Sequence, residues 1–217
     1  MKLVIRSFLF AAGLALVAGP SFAGLNNNAK IFAHLGPVVA KNACLQVPAD
    51  CRNALVTGNV GSFYHLYIGV GNMNDSVGVA GCQFGIQYLD AGSVGIDIFS
   101  WTRCSTLEFP TNDWPLNHSG NLITWDPVNA CQRGPGAATA GYFYIGVYSP
   151  DRFAIIPRPL DGTAKVASCV SVEDDLTGQS PSPLGYVDFN TGPGYNPCST
   201  IVPVAVTTWS GVKSLLH

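Results

Sequence analysis

The sequence predicts an all-β protein: an antiparallel β-sandwich with disulfide-tied loops and a short C-terminal helix. Three observations lead to this prediction. Apolar residues alternate with other residues in short segments, which is the period of a strand with two different faces. Glycine and proline are abundant, with 24 and 15 residues, and many lie between those segments as turn residues. No helical stretch of the kind that connects parallel strands separates the segments, which favours antiparallel pairing.

The chain begins like a secretory signal peptide. Lys2 and Arg6 give a positive start, residues 8–18 are apolar, and residues 21–23 (Ser-Phe-Ala) place small side chains where a signal peptidase reads them. The apolar stretch is too short to span a bilayer, although a retained anchor is the alternative interpretation. We therefore expect cleavage after Ala23 and a secreted, periplasmic or cell-surface location.

The domain organisation follows from this start. We expect a signal peptide over 1–23, a β-sandwich domain over 24–200, and a C-terminal segment with a short helix over 201–217. The helix would begin at a capping residue, Thr207 or Thr208. A domain of this length can bury a core without cross-links, so disulfides would reinforce the core rather than replace it.

The composition argues against several classes of partner. Charged residues make up 11% of the chain, against roughly 25% in ordinary soluble domains, and the net charge is −2. No basic patch is present that would bind a phosphate backbone, so we expect no nucleic acid partner. No segment after the signal peptide is long and apolar enough to cross a bilayer, so we expect no membrane span after cleavage.

The alternating segments give the predicted strands. These lie near Ala29–Leu35, Phe63–Val70, Val77–Leu89, Ser93–Trp101, Leu122–Trp125, Tyr142–Ser149, Arg152–Pro157, Ala164–Val172 and Gly185–Phe189. One alternating set in each strand is predicted to face the core. In the clearest strands this set is Tyr64, Leu66, Ile68 and Val70; Ala80, Cys82, Phe84, Ile86 and Tyr88; Val94, Ile96 and Ile98; and Phe143, Ile145 and Val147.

The opposite sets are predicted to form an outer face with a binding role. If these strands pair as neighbours, one surface collects His65, Tyr67, Gln83, Gln87, Asp97, Phe99, Trp101, Tyr142 and Tyr144. Aromatic rings with amides and a carboxylate suit stacking on a sugar or packing against a protein partner. The alternative is that loops cover this face, or that the rings serve only strand pairing.

Seven cysteines allow at most three bridges, so one thiol stays free. Cys82 falls on the apolar side of its strand, where a thiol behaves as a small buried hydrophobe, and we predict that it is the free one. The other six would tie loops of weak internal structure, each bridge contributing about 2–4 kcal/mol. We expect the pairs to be sequence neighbours: Cys44–Cys51, Cys104–Cys131 and Cys169–Cys198.

Signatures of catalysis are missing from the sequence. It lacks the G-x-S-x-G and H-E-x-x-H patterns and the phosphate-binding glycine motifs. A secreted hydrolase remains the alternative, and its candidate residues are His65 with Asp97, or the two glutamates Glu108 and Glu173. A His–Asp pair without a matched nucleophile is more often a structural hydrogen bond.

Metal and cofactor sites are not predicted. The cysteines lack C-x-x-C spacing and the histidines are scattered, which argues against zinc. Oxygen ligands for calcium are available at 72–75 and at 173–175, but neither segment has the glycine and closing glutamate of a calcium loop. We interpret both as ordinary turns.

The stretch from Tyr67 to Asp90 resembles the opening strands of cohesin-type sandwich modules. It reads Tyr-Ile-Gly-Val-Gly-Asn, then Val-Ala-Gly-Cys-Gln-Phe-Gly-Ile-Gln-Tyr-Leu-Asp from Val79. The whole chain also resembles uncharacterised secreted bacterial proteins that end in a Thr-Thr-Trp-x-x-(Ile/Val)-Lys-Ser-Leu segment, here Thr207–Leu216. Neither resemblance supplies a reaction, and the first implies extracellular scaffolding or adhesion.

Together these features predict a non-catalytic extracytoplasmic protein for binding or surface scaffolding. It would recognise a protein or a glycan through an outer sheet face. The alternatives are a secreted hydrolase with a site near His65 and Asp97, and a purely structural surface protein.

Overall fold

The computed structural model describes residues 24–134 and 136–199, in which the chain forms β-strands joined by turns and two short 3-10 helices. The strands are β1 (Lys30–Gly36), β2 (Thr57–Gly58), β3 (Phe63–Gly71), β4 (Gly81–Gln87), β5 (Ile96–Arg103), β6 (Leu107–Glu108), β7 (Gly120–Thr124), β8 (Ala138–Val147), β9 (Asp151–Ile156), β10 (Lys165–Ala167), β11 (Glu173–Asp175) and β12 (Tyr186–Phe189). The predicted signal peptide and C-terminal helix lie outside the described residues. Within those residues, no helix has the length and apolar character needed to cross a membrane.

The strands form two sheets. The first has the order β1-β3-β8-β5, and all its neighbours are antiparallel. The second has the order β11-β10-β4-β9-β12-β2, with β7 also paired to β4 and β6 paired to β7. The predicted all-β sandwich is confirmed, with one departure. Strand β12 pairs with β2 in parallel, so the second sheet is mixed.

The hydrophobic core lies where the two sheets bury their inner faces. Phe143 and Ile145 of β8 share one buried cluster with Phe84 and Ile86 of β4, and all four are fully buried. Cys82 belongs to the same cluster and is the free cysteine of the described residues. Burial raises the pKa of the Cys82 thiol far above its ordinary value, which leaves it neutral and unreactive.

Every predicted strand overlaps an observed one, but three short strands were not predicted. These are β2, β6 and β11, each of two or three residues. A segment of that length is too short to show a period of two, so alternation gives no signal. Each forms by pairing with a neighbouring strand, as β6 does with β7.

The predicted disulfide pairing is wrong. The bridges join Cys44 to Cys104, Cys51 to Cys198, and Cys131 to Cys169, across sequence separations of 60, 147 and 38 residues. Proximity along the chain fails as a guide because antiparallel strands bring distant loops together at the ends of a sheet. The longest bridge ties the end of the described domain to the segment after β1.

A β-bulge in β5 reverses the predicted orientation of Trp101. The register shifts between Ile98 and Ser100, leaving Phe99 as the extra residue, so Trp101 pairs with Phe143. The Trp101 ring therefore packs inward, 4.5 Å from the Phe143 ring and 5.2 Å from the Trp114 ring. One extra residue exchanges the faces of all later side chains in the strand.

The same strand begins differently from its predicted pattern. Val94 was placed in the core with Ile96, but it precedes β5 in a turn and is exposed. Gly95 has a φ of 79° there, so the extended backbone of β5 begins only after it and the alternation does not reach back to Val94.

Tryptic mapping without reduction distinguishes the two disulfide patterns. Trypsin releases the six bridged cysteines in three peptides, 42–52, 104–133 and 166–213. The bridges of the structure join all three into one covalent cluster that separates on reduction. Three separate peptides, each with an internal bridge, would restore the pairing of sequence neighbours.

Substitutions at the bulge residue Phe99 and after the bulge at Trp101 should change the free energy of unfolding by different amounts. Trp101→Ala removes an inward ring and its packing on Phe143, so we expect a loss of about 3 kcal/mol in the free energy of unfolding. Phe99→Ala removes an outward ring and should cost less than about 1 kcal/mol. Urea unfolding measures both, and equal losses would contradict the inward orientation of Trp101.

Candidate binding face

Aromatic side chains line the outer face of the first sheet in direct cross-strand pairs. His65 of β3 lies opposite Tyr144 of β8, and Tyr67 lies opposite Tyr142. Their ring centroids are 6.0 and 5.5 Å apart, and the His65 ring also lies 4.5 Å from that of Tyr142. This band of rings follows from the two-residue period of β3 and β8, whose alternate residues fill the core.

Residues 37–56, here called the cover segment, lie over one half of this outer face. Phe32 is on the outer side of β1, yet it is fully buried against the Cys51–Cys198 bridge. Tyr67 is also fully buried, and the Leu55 N–H donates a 2.9 Å hydrogen bond to Nδ1 of His34. The β1 half of the face is therefore interior, as the covered-face alternative predicts.

Burial under the cover segment keeps two histidines neutral. It lowers the pKa of His34 to about 4 and lowers the pKa of His65 below its ordinary value. The same burial, with the nearby Tyr142, raises the pKa of Tyr67 to about 12. Nδ1 of His34 accepts a backbone N–H, so the neutral ring carries its proton on Nε2. These groups stabilise the covered half and do not form a reactive centre.

The other half of the face is open and carries an aromatic cluster, defined as Phe63, Phe99 and Tyr144. Phe63 is 51% exposed and Phe99 is 47% exposed. The three ring centroids lie 5.1 to 6.2 Å apart. Gly146 supplies space beneath them, because a Cβ at that position would lie 3.0 Å from the Phe99 ring and 3.1 Å from the Phe63 ring.

A shallow groove of about 600 Å³ continues from the aromatic cluster along the edge of the cover segment. Phe63 is common to both features, while Val38 and Leu55 line the groove and are also strongly exposed. Contiguous exposed apolar surface of this kind is typical of a contact site for another molecule.

The structure keeps six of the predicted binding residues on this face and separates three from it. The six are His65, Tyr67, Asp97, Phe99, Tyr142 and Tyr144. His65 and Tyr67 are buried, so they lie in the covered half of the face and are not exposed for contact with another molecule. Trp101 turns inward because of the bulge.

Gln83 and Gln87 belong to β4 and so to the other sheet. The amide of Gln83 is occupied there, since its Nε2 donates to Asp161 Oδ1 at 2.9 Å and to Thr163 Oγ1 at 2.7 Å. The prediction grouped these residues with the aromatic rings because alternation fixes which side of a strand a residue faces, but not which sheet holds the strand.

The hydrolase candidates are not brought together as reactive pairs. Strand β8 lies between His65 on β3 and Asp97 on β5, and the Asp97 carboxylate accepts the N–H of Ser93 instead. Oε2 of Glu108 accepts hydrogen bonds from the Trp101 and Asn121 side chains.

Glu173 has a different partner, Lys165, at 3.1 Å. Within residues 24–134 and 136–199, no group of three or more His, Cys, Asp or Glu residues is arranged to hold a metal ion.

Three contributors to the open surface were not predicted as site residues: Phe63, Val38 and Leu55. Phe63 alternates in step with His65 and Tyr67, so the sequence pattern carried a signal for it. Val38 and Leu55 lie in the irregular cover segment, where no periodicity indicates which side chains are exposed.

These features define a disulfide-bonded β-sandwich with one half-covered and half-open outer face. No protein-family model matches the sequence, and no curated protein matches it. Among solved structures, it is similar to the cohesin module of a Clostridium perfringens family 33 glycoside hydrolase, with a TM-score of 0.43 and 10% identity over 74% of this chain and 96% of that one.

A chain of a type I cohesin–dockerin complex from Clostridium thermocellum gives a TM-score of 0.43 and 11% identity, over 74% of this chain and 99% of that one. A type II cohesin domain from the cellulosome of Acetivibrio cellulolyticus gives 0.42 and 12%, over 67% and 86%. These neighbours are cohesin modules, the family that the stretch from Tyr67 to Asp90 resembles. The fold assignment itself rests on the strand order and pairing described above.

Protonation of His34 should make stability fall in acid. The folded pKa lies below the unfolded value of about 6.5, so the stabilisation is complete above pH 6.5 and declines as the pH falls toward 4. The decline should approach 1.4 kcal/mol per pH unit at its steepest. In His34→Gln, urea unfolding should show a smaller loss over this range, the remainder coming partly from His65.

The exposed His118 provides the matched control. Its φ is 61°, which asparagine tolerates, so His118→Asn should keep the pH dependence of the wild type. Equal pH dependence in the wild type and His34→Gln would show that His34 is not the titrating group.

Proposed function

We propose that this protein is a non-catalytic extracytoplasmic binding module that recognises a protein partner through the open half of its first sheet. The observation that carries the proposal is the continuity of the aromatic cluster with the groove beside it. Phe63, Phe99, Val38 and Leu55 are each about half exposed or more on one surface. Aromatic side chains on a rigid sheet are frequent anchors of protein interfaces.

The geometry of the rings favours a protein over a flat glycan. Neighbouring rings in the aromatic cluster are tilted by 35° to 49° to one another. A row of coplanar rings would suit a flat sugar chain, whereas tilted rings bounding a groove accommodate apolar side chains of irregular shape. The carboxylate of β5, Asp97, already accepts the backbone N–H of Ser93.

The disulfides support an extracytoplasmic setting. Three bridges in one domain are typical of proteins that mature in an oxidising compartment, and they agree with the signal-peptide pattern of residues 1–23. We infer that the protein works in the periplasm, at the cell surface or in the medium, where surface scaffolding or adhesion would use such a face.

Affinity capture followed by measured affinities tests the binding proposal. Mature protein is immobilised and exposed to the secreted proteins of its source organism, and each captured protein is purified for calorimetric titration. Phe63→Ser and Phe99→Ser should weaken the affinity of the partner by tenfold or more, by analogy with about 2 kcal/mol for an anchor residue.

Phe109→Ser is the matched control, because Phe109 is 55% exposed but lies beside β6 of the other sheet. It should leave the affinity unchanged. Equal weakening by Phe109→Ser, or unchanged affinity in Phe63→Ser, would contradict the proposal. Binding on a glycan array that Phe63→Ser abolishes would identify a sugar ligand instead.

A further inference from the structure

The first described residues are held tightly against the sandwich. Asn26 is buried, its side chain donates to the carbonyl of Gly78 at 2.8 Å, and its Oδ1 accepts the N–H of Asn74 at 2.8 Å. Its own N–H donates to Oδ2 of Asp174 at 2.9 Å. The turn that begins at Gly24 is therefore fixed to two other parts of the domain.

Asp174 is a buried carboxylate in an unusual place. It is the central residue of the three-residue edge strand β11 and is only 4% exposed, whereas Glu173 and Asp175 on either side are exposed. Burial of an ionised carboxylate is costly without a cation or several hydrogen bonds. Of the ion pairs found in residues 24–134 and 136–199, none includes Asp174.

A second deeply buried carboxylate, Asp188, is satisfied by a cation together with hydrogen bonds. Asp188 is fully buried and is paired with Arg152 at 3.2 Å. It also accepts the backbone N–H groups of Thr191 and Gly192 at 2.8 and 2.6 Å. Asp174 has the Asn26 N–H but no side-chain cation among the described residues. Asp151, 9% exposed and also without a cation there, accepts two backbone N–H groups instead, so a positive charge beside Asp174 would stabilise it but is not the only means of satisfying such a group.

Gly24 lies beside the Asp174 carboxylate, where a positive charge would stabilise it. A Cβ built on Gly24 would overlap the Asp174 carboxylate, with Cγ and Oδ2 each 2.7 Å away and Oδ1 nearer still. The Gly24 Cα, one bond from that position, therefore lies beside the Asp174 carboxylate. Gly24 is also the residue that follows the predicted cleavage site.

We propose that processing between Ala23 and Gly24 creates a buried ion pair between the new α-ammonium group and the Asp174 carboxylate. Water hydrolyses the Ala23–Gly24 peptide bond under a signal peptidase, leaving a carboxylate on the released leader and an amine on Gly24 that takes up a proton. In the precursor the same nitrogen is an uncharged amide. Removal of the leader therefore supplies a cation beside Asp174, whose carboxylate forms no ion pair within residues 24–134 and 136–199.

Intact mass of the exported protein tests the cleavage position. The full chain, with its leader, is produced in a bacterial host that exports it, and the mature product should begin at Gly24. A product that begins at any other residue overturns the proposal, because the amine would lie at least one Cα–Cα step of about 3.8 Å from its place.

Stability measurements test the ion pair separately. A chain produced to begin at Ala23 should melt about 3 °C or more below the chain that begins at Gly24, a shift that corresponds to about 1 kcal/mol. Asp174→Asn should abolish the difference between the two chains, since it removes the charge but keeps the shape. Unequal melting that persists in Asp174→Asn, or equal melting of the wild-type chains, overturns the ion pair.

Asp175→Asn is the matched control on the same strand. Its side chain is exposed, and its amide oxygen can keep the hydrogen bond from the Thr177 N–H. The difference between the two chains should survive this substitution. Titration of the Gly24 amine by NMR gives a direct readout, and pairing with the Asp174 carboxylate should raise its pKa above the ordinary range of an α-amino group. An unshifted amine in a correctly processed chain would also overturn the pair.

Discussion

The structure depends on the cover segment, which buries one half of the outer face of the first sheet and leaves the other half exposed. The inner face is buried by the second sheet, as in any sandwich, but β1 and the adjoining part of β3 are buried on both faces. The cover segment provides this second burial although it contains only two 3-10 turns. Such a segment has few backbone hydrogen bonds of its own, so other constraints must hold it in place.

Two disulfides supply those constraints from two points in the middle of the cover segment. Cys44 is joined to Cys104 just beyond β5, and Cys51 is joined to Cys198 near the end of the described domain. Cross-links of this kind destabilise the unfolded chain by a few kcal/mol and make an irregular segment affordable in the folded state. The position of the cover segment then determines where the open half, with Phe63 and Phe99, begins.

Sequence periodicity predicts the fold class well because it reports a local property. In β8 the alternation correctly places Phe143, Ile145 and Val147 in the core, and Tyr142 and Tyr144 on the other side. The prediction of Cys82 as a buried residue rests on the same property. Each of these conclusions requires only the side of a strand that a residue occupies.

The errors concern properties that alternation does not report. The bulge at Phe99 moves Trp101 inward, and nothing in the local pattern of β5 indicates an extra residue. Gln83 was grouped with the wrong sheet, and the cysteines were paired by separation along the chain. Strand order and loop path decide both outcomes, and they depend on contacts between residues far apart in sequence. The candidate site was therefore predicted in its aromatic character but not in its boundary.

The two ends of the described domain are anchored by different chemistry for a physical reason. The C-terminal end has Cys198, whose covalent bond to Cys51 needs only an oxidising environment. The N-terminal turn has no cysteine and relies on Asn26 and the carboxylate of Asp174, which the proposed α-ammonium group would stabilise further. The first anchor thus depends on oxidation, and the second, under the proposal above, on removal of the leader. If the proposed processing occurs, a domain so built reaches its full stability only when its cysteines are oxidised and its leader is removed.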